Sequence, residues 1–387
     1  MSEPSQRLGA HRPDTQRLDG LRVVVLGTGL IGTSIALAAR QQGAQVWLSD
    51  ADPGAARLAA DLGAGQVLPE GGRVRGPGSA GGDRADLAVL AMPPAAVAGA
   101  LASAQARDLA RVYTDVASVK VLPVAQVAEL GCDLSCYVAG HPLAGSERSG
   151  PAAARADLFL GRAWALCPLP ETSQEALAAV RALVSACGAE PAEVDATQHD
   201  RFVALVSHLP HLVSAAMAAR LTDAEQGALR LAGQGLRDVT RIAAGDAQLW
   251  TSILTANAAP VARVLEATAT DLAAAAEALR EVASGESESG KRVTDLLARA
   301  VTGVARIPGK RGGPAPEYAV LQVVIADRPG ELYRLFQAAS DADVNIEDVS
   351  IEHSPGLPVG VAELSVRPDE AGQLADALRG RGWPVHD

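Results

Sequence analysis

The stretch that most limits how this chain can fold runs from Leu21 to Gly32. Leu21 to Leu26 is a compact apolar run, as a strand buried on both faces should be. It leads without a spacer into Gly27-Thr28-Gly29-Leu30-Ile31-Gly32 and then into an Ala- and Leu-rich helical pattern reaching about Gln42. Strand, glycine turn and helix in that order open a dinucleotide-binding unit. Gly27 permits the turn, Gly29 lets the backbone approach a pyrophosphate, and Gly32 lets helix and strand pack closely. Leu30 and Ile31 begin the helix whose amino end faces the phosphates. A second strand, Gln45 to Ser49, ends in Asp50, eighteen residues after Gly32, where a carboxylate binds the two hydroxyls of the adenosine ribose. Asp50 would repel a 2′-phosphate, and no arginine follows it before Arg57, so NAD rather than NADP is expected.

Further units repeat the alternation. A helix is expected from Pro53 to Leu62, and a strand from Asp86 to Ala91 that ends at Met92-Pro93-Pro94, placing Pro93 on the cofactor side. A helix to Ala106 and strands at Arg111 to Thr114, Cys136 to Ala139, Ala163 to Cys167 and Ala189 to Val194 complete the set, with a helix from Ser173 to Cys187 before the last. Alternating strands and helices give a parallel, Rossmann-like sheet over residues 19–194. The Gly-rich interval from Glu70 to Asp83 reads as a solvated surface loop. Ligands bind at strand ends in such sheets, which draws attention to Asp115-Val116-Ala117-Ser118-Val119-Lys120. Ser118 either caps the following helix or faces a ligand.

The next strand delivers Gly140-His141-Pro142-Leu143-Ala144-Gly145-Ser146-Glu147-Arg148-Ser149-Gly150. Core elements do not need a histidine, two hydroxyls and a carboxylate in a tight turn-rich loop. His141 is the side chain that accepts a proton near neutrality, so kcat/KM is expected to fall on the acid side near the roughly 6.5 of free imidazole.

From Ala196 to about Arg306 the pattern is helical throughout. The first helix carries His199-Asp200 and then Ser207-His208-Leu209-Pro210-His211, with Pro210 expected to kink it and free a carbonyl. Ser207 and His211 share a face. The HxxH spacing has no second ligand pair beside it, so no metal is assigned. Gly235-Leu236-Arg237-Asp238-Val239-Thr240-Arg241-Ile242 follows, then Trp250 and Asn257. Arg237 and Arg241 suit a carboxylate substrate, and equally suit surface or intersubunit salt bridges. The helix around Leu272 to Val282 reads as packing or dimer surface. Residues 307–316, rich in Gly and Pro, form a linker, and 317–387 read as βαββαβ, a ferredoxin-like order.

At 387 residues the chain exceeds one ordinary core. A formal charge of -11 with no basic block argues against nucleic acid. The first 18 residues are polar, lack the apolar core of a signal peptide and read as a disordered leader. Pro93-Pro94 interrupts the longest uncharged run, so no membrane span is expected. Cys132, Cys136, Cys167 and Cys187 show neither zinc pairing nor disulfide density, which fits a cytoplasmic protein.

Taken in order, Gly27 to Gly32, Asp115 to Lys120, His141 to Gly150, Ser207 to His211, Arg237 to Ile242 and Trp250 to Asn257 resemble the prephenate dehydrogenase family of tyrosine biosynthesis, carrying a C-terminal ACT domain. The resemblance runs from about residue 19 to the end. It implies an α/β fold with three parts: a Rossmann-like NAD domain (19–194), an all-α substrate and dimerisation domain (195–306) and an ACT domain (317–387). It also implies that His141 takes the proton of the ring hydroxyl while hydride passes to NAD, with Ser118 supporting the histidine and the nicotinamide. Arg241 binds a substrate carboxylate, His211 contacts the substrate side chain, and Glu147, Ser207, Arg237 and Trp250 line or gate the pocket. The implied reaction converts prephenate to 4-hydroxyphenylpyruvate; arogenate is the alternative substrate. A homodimer is implied, and tyrosine is the natural effector at Asp327, Gly330, Asn345 and Ile346.

Overall fold

The computed structural model describes residues 17–69, 74, 84–145, 148–307, 318–353 and 358–386. The expected leader, apart from Arg17 and Leu18, lies outside the described residues. So do the Glu70 to Asp83 loop apart from Val74, Ser146 and Glu147, the linker after Ile307, and residues 354–357. The chain divides into two compact units, 1–268 and 269–387. Leu18 belongs to the first of them, not to a leader: it is buried and its amide donates to the Gln42 carbonyl (2.7 Å).

In the first unit an eight-stranded sheet is built from β1 (Arg22–Leu26), β2 (Gln45–Ser49), β3 (Gln66–Val67), β4 (Ala85–Leu90), β5 (Ala110–Asp115), β6 (Tyr137–Pro142), β7 (Ala163–Cys167) and β8 (Glu190–Glu193). Helices α1 (Leu30–Gln41), α2 (Pro53–Asp61), α3 (Pro94–Ala106), α4 (Val121–Glu129) and α5 (Gln174–Ala186) connect them. The spatial order is β3-β2-β1-β4-β5-β6-β7-β8. β1 lies between β2 and β4, and Val23, Val24 and Val25 are buried whichever face they point to, the reason for its unbroken apolar sequence. The two edges carry the short β3 and the fully exposed β8, whose Pro191 is tolerated only at an edge.

Two features depart from the parallel sheet expected over this region. β3 is a short extra strand, and β7 runs antiparallel to β6. That pairing extends β6 three residues beyond its expected end, through the registers Gly140↔Leu166, His141↔Ala165 and Pro142↔Trp164. His141 therefore sits on a strand, not in a loop, because the ladder with β7 claims its backbone.

The helical half of this unit begins with α6 (Ala196–Val203) and α7 (Leu209–Ala219). Pro210 does not break the helix. A π turn spans Ala204–His208, and the Leu209 amide donates five residues back, to the Ala204 carbonyl. A wider turn accommodates a residue that has no N–H and whose ring collides with the carbonyl four residues earlier. Ala196–Ala219 is long and apolar enough to cross a membrane by length and composition alone. Its polar residues His199, Asp200, His208 and His211 are buried against other protein segments. After α7 come α8 (Gln226–Leu229), α9 (Gln234–Thr240), a short 3-10 turn at Arg241–Ala244, α10 (Ala247–Ala256) and α11 (Ala258–Ala283).

The second unit holds the end of α11, α12 (Gly290–Val304) and a four-stranded antiparallel sheet of β9 (Ala319–Ala326), β10 (Asp348–His353), β11 (Val359–Val366) and β12 (Val385–His386). With α13 (Glu331–Asp341) and α14 (Ala371–Gly380), the chain order is βαββαβ and the spatial order β10-β11-β9-β12, a ferredoxin-like arrangement. Its core is aliphatic and closed by Trp383, whose indole N–H donates to Glu331 (3.1 Å). Asn345 and Ile346 lie just before β10.

Candidate active site

The glycine turn has the geometry its sequence demands. Gly27 has φ +97°, and a Cβ there would lie 2.0 Å from the Ala91 carbonyl oxygen; a Cβ on Gly32 would lie 2.0 Å from the Gly27 oxygen. A Cβ on Gly29 would meet nothing within 4 Å, so the crowding at its neighbours gives way to open space where a phosphate would approach. Gly29 also starts α1 with no side-chain cap, so the first amides of that helix, at Leu30 and Ile31, keep their donors for a ligand. These residues fit a dinucleotide. Asp50, at the end of β2, turns one carboxyl oxygen to the Thr28 amide (2.5 Å) and hydroxyl (2.9 Å). The same carboxylate therefore braces the glycine turn. Pro93 caps α3 at the end of β4.

At the end of β5 a buried network fixes the next strand. Lys120, fully buried, pairs with Asp115 and donates to the Gly140 carbonyl (2.6 Å), and Tyr137 donates its hydroxyl to the other Asp115 oxygen (2.6 Å). Burial, followed by the Asp115 charge, holds the Tyr137 hydroxyl well above its usual range, so it stays a donor. Gly140 is required here because a Cβ would lie 2.8 Å from the Asp115 carbonyl oxygen. His141 is thus held one residue past an anchored carbonyl.

Ser118 is half-buried in the turn between β5 and α4, and it does not cap α4. The cap comes from α6: Asp200 accepts from the Lys120 amide (2.8 Å) and the Val121 amide (2.9 Å), 80 and 79 residues away in sequence. A carboxylate at that helix end satisfies orphan amides and opposes the helix dipole. Asp200 also meets His199 Nδ1 (2.8 Å), and His199 Nε2 meets His141 Nδ1 (2.9 Å). His141 is crowded enough that its pKa falls well below the usual imidazole value, first through desolvation and then through His199, Lys120 and His208. The expected acid limb near 6.5 is therefore corrected downward: the neutral, proton-accepting form persists to lower pH.

Past the π turn, His211 stacks on Trp250 with centroids 3.5 Å apart and planes 12° from parallel. Gly245 permits this, since its Cβ would lie 2.7 Å from Trp250 Nε1. α7 packs on the turn that begins with Arg241, and the Ser214 hydroxyl donates to the Val239 carbonyl (2.6 Å). Ser207 is half-buried on the same helix. Arg237 and Arg241 are exposed, and among the described residues neither guanidinium forms an ion pair or hydrogen bond. His208, whose pKa burial pushes down to about 4, meets the Asn257 amide nitrogen (3.2 Å), which also donates to the Asp200 carbonyl (2.8 Å). Asp327, Gly330, Asn345 and Ile346 lie in the second unit. Gly330 starts α13 at φ +87°, and Asn345 donates to Glu347 (2.8 Å).

Sequence reading singled out His199-Asp200 without giving the pair a role, and named Asp115 and Lys120 only as the ends of a motif. One sequence signal was available: ionisable residues at positions where α6 and β5 turn apolar neighbours inward.

A glycine cradle at the end of β1, with a neutral histidine at the end of β6 in the same sheet, defines the class: an NAD-dependent oxidoreductase with an α/β nucleotide-binding half and a helical half. Two family profiles match, "Prephenate dehydrogenase, nucleotide-binding domain" over residues 35–192 and "Prephenate dehydrogenase, dimerization domain" over 195–293. The Streptomyces niveus protein named "Probable prephenate dehydrogenase NovF" is 43% identical over 370 residues, 94% of this chain and 99% of that protein. The chain belongs to the prephenate dehydrogenase family. Prephenate dehydrogenase of Bacillus subtilis is 26% identical over 68% of this chain and 70% of its own. The crystal structure of the Aquifex aeolicus enzyme with hydroxyphenyl propionate and NAD+ shares the fold, with a TM-score of 0.62 at 24% identity, covering 74% of this chain and 99% of that one.

Proposed function

We propose that this chain oxidises prephenate to 4-hydroxyphenylpyruvate and CO2. The observation that carries the reading is the placement of neutral His141 at the end of β6, joined through α6 to the helix that bears Ser207 and His211 beside Trp250. NAD, when bound in the glycine cradle, would supply the hydride acceptor for the hydroxyl-bearing ring carbon. His141 Nε2 takes the hydroxyl proton, which allows the carbon–oxygen double bond to form. The ring carboxylate then leaves as CO2, its bonding electrons complete the aromatic ring, and the resulting phenolate oxygen regains a proton. The protein supplies a base, orientation and charge clamps, with no separate decarboxylation catalyst.

Gly27, Gly29, Leu30, Ile31, Gly32, Asp50 and Pro93 would hold NAD, and Ser118, on the turn between β5 and α4, is assigned to the support of His141 and the nicotinamide. Arg241 is assigned to a substrate carboxylate, with Arg237, Ser207, His211, Trp250 and Glu147 around the pocket; Glu147 lies outside the described residues. Arg241→Ala is expected to raise KM roughly 10–150-fold, the loss of about 1.5–3 kcal/mol for a charged hydrogen bond. An unchanged KM in steady-state assays rejects that role.

Residues 317–387, within the second unit, are assigned as an ACT domain that binds tyrosine near Asp327, Gly330, Asn345 and Ile346. A homodimer is also proposed, supported by the exposed apolar side chains Phe202, Leu205, Val206, Leu272 and Leu279. One assay series tests the whole reading: prephenate and arogenate, each with NAD and NADP, with and without tyrosine, on the full chain and on a chain ending at Arg306. Turnover of prephenate with NAD, inhibited by tyrosine only in the full chain, is expected. Preference for arogenate reassigns the substrate, and equal inhibition of the shorter chain moves the effector to the active site.

A further inference from the structure

We infer that His199 and Asp200 are positioning residues that fix the tautomer of His141, leaving Nε2 as its only free lone pair. This rests on the reading of His141 as the base. Both residues are only 2% exposed, which is unusual for an adjacent ionisable pair.

With His199 neutral, the hydrogen bonds leave one consistent assignment. Both carboxyl oxygens of Asp200 accept backbone amides, Oδ1 from Lys120 and Oδ2 from Val121. A carboxyl engaged as acceptor on both sides requires His199 Nδ1, 2.8 Å from Oδ1, to be the donor. A neutral imidazole carries one N–H, so His199 Nε2 holds a lone pair. His141 Nδ1, 2.9 Å from that atom, must then be the N–H donor. His141 Nε2 is left bare, and it is the one ring nitrogen not turned to His199. The edge-on geometry of the two rings, with planes 72° apart and centroids at 5.1 Å, suits an in-plane N–H meeting an in-plane lone pair.

When Nε2 takes the substrate proton, His141 carries a positive charge, and its Nδ1–H continues to donate to His199 Nε2. No group need rearrange as the proton moves. Among the described residues, Lys120 and His208 are the other ionisable groups that bear on this ring; Lys120 is paired with Asp115, and His208 is linked through Asn257 to the Asp200 backbone. Asp200 does a second job, since it caps α4, whose start carries Lys120, the anchor of Gly140. The tautomer and the position of His141 are therefore set by the same carboxylate.

The test compares His199→Leu, which cannot accept, with His199→Gln, whose amide oxygen can occupy the place of Nε2. His199→Leu is expected to lower kcat by about a hundredfold or more, the scale of losing a correctly poised base, with KM for prephenate and NAD affinity little changed. His199→Gln should recover most of that loss. Independently, 15N spectra of histidine-labelled, unmodified protein should show His141 protonated at Nδ1 and bare at Nε2. Retention of kcat within a few-fold in His199→Leu, or a His141 signal showing a proton on Nε2, overturns the proposal. Should His199→Leu fail to fold, the spectra of the unmodified protein decide alone. His141→Asn separates the two readings: if it stays active, His141 is not the base, whereas an inactive His141→Asn beside an active His199→Leu removes only the positioning role.

Discussion

His141→Asn is expected to lower kcat about 10²- to 10⁴-fold, the usual contribution of a positioned general base, with NAD affinity unchanged. The substitution keeps a polar side chain on β6 but removes the proton acceptor. In the unsubstituted protein the pH profile should carry the same signature. Desolvation and the neighbouring His199, Lys120 and His208 lower the His141 pKa, so protonation is deferred. Activity that needs neutral imidazole is therefore complete above the depressed pKa and is lost only as pH falls through it, well below the roughly 6.5 of an isolated histidine. Measuring kcat/KM against pH checks both the sign and the place. An acid limb at or above the free-imidazole value would contradict the environment found here, and full activity in His141→Asn would remove the base.

The second large effect is on stability. Lys120→Met is expected to destabilise the protein by about 3–5 kcal/mol, because it leaves Asp115 as an unpaired charge in a site with no exposure. It also takes away the donor to the Gly140 carbonyl, so the end of β6 should loosen and kcat should fall with it. Denaturant unfolding reads the first consequence as a lower midpoint at constant m-value. Replacing Asp115 by Asn in the same chain should restore part of the loss, since a neutral amide in place of the stranded carboxylate costs less to bury. A change under about 1 kcal/mol in Lys120→Met would mean that the pair contributes little, contrary to what its burial implies.

Much of the fold was legible because its signals are local. The strand before Gly27, the glycine spacing and the helix after it are specified by consecutive residues, and the positive φ of Gly27 and the close approach at Gly32 follow from their lack of a Cβ. β2 and β7 fall where apolar runs put them. The misjudged details each depend on partners distant in the chain. β6 runs on through His141 because β7 pairs antiparallel beside it, which no property of residues 137–142 announces. The kink expected at Pro210 takes the form of a π turn over Ala204–His208, just before the proline. Ser118, a plausible cap from its neighbours, yields that role to Asp200.

The residues at the site divide in the same way. By itself the sequence determined which side chains are chemically able to act: the cradle glycines, Asp50, His141, Arg241 and His211 stand in motifs whose composition is hard to explain by packing. Only the tertiary structure decided which nitrogen of His141 is free, through a chain of contacts reaching 58 residues to His199 and onward through Asp200 to an amide 80 residues away. It also decided that Lys120 is buried with a partner and not solvated at a surface. The physical reason is that residue type fixes what a group can donate or accept, whereas protonation, tautomer and desolvation depend on neighbours that folding brings from elsewhere in the chain.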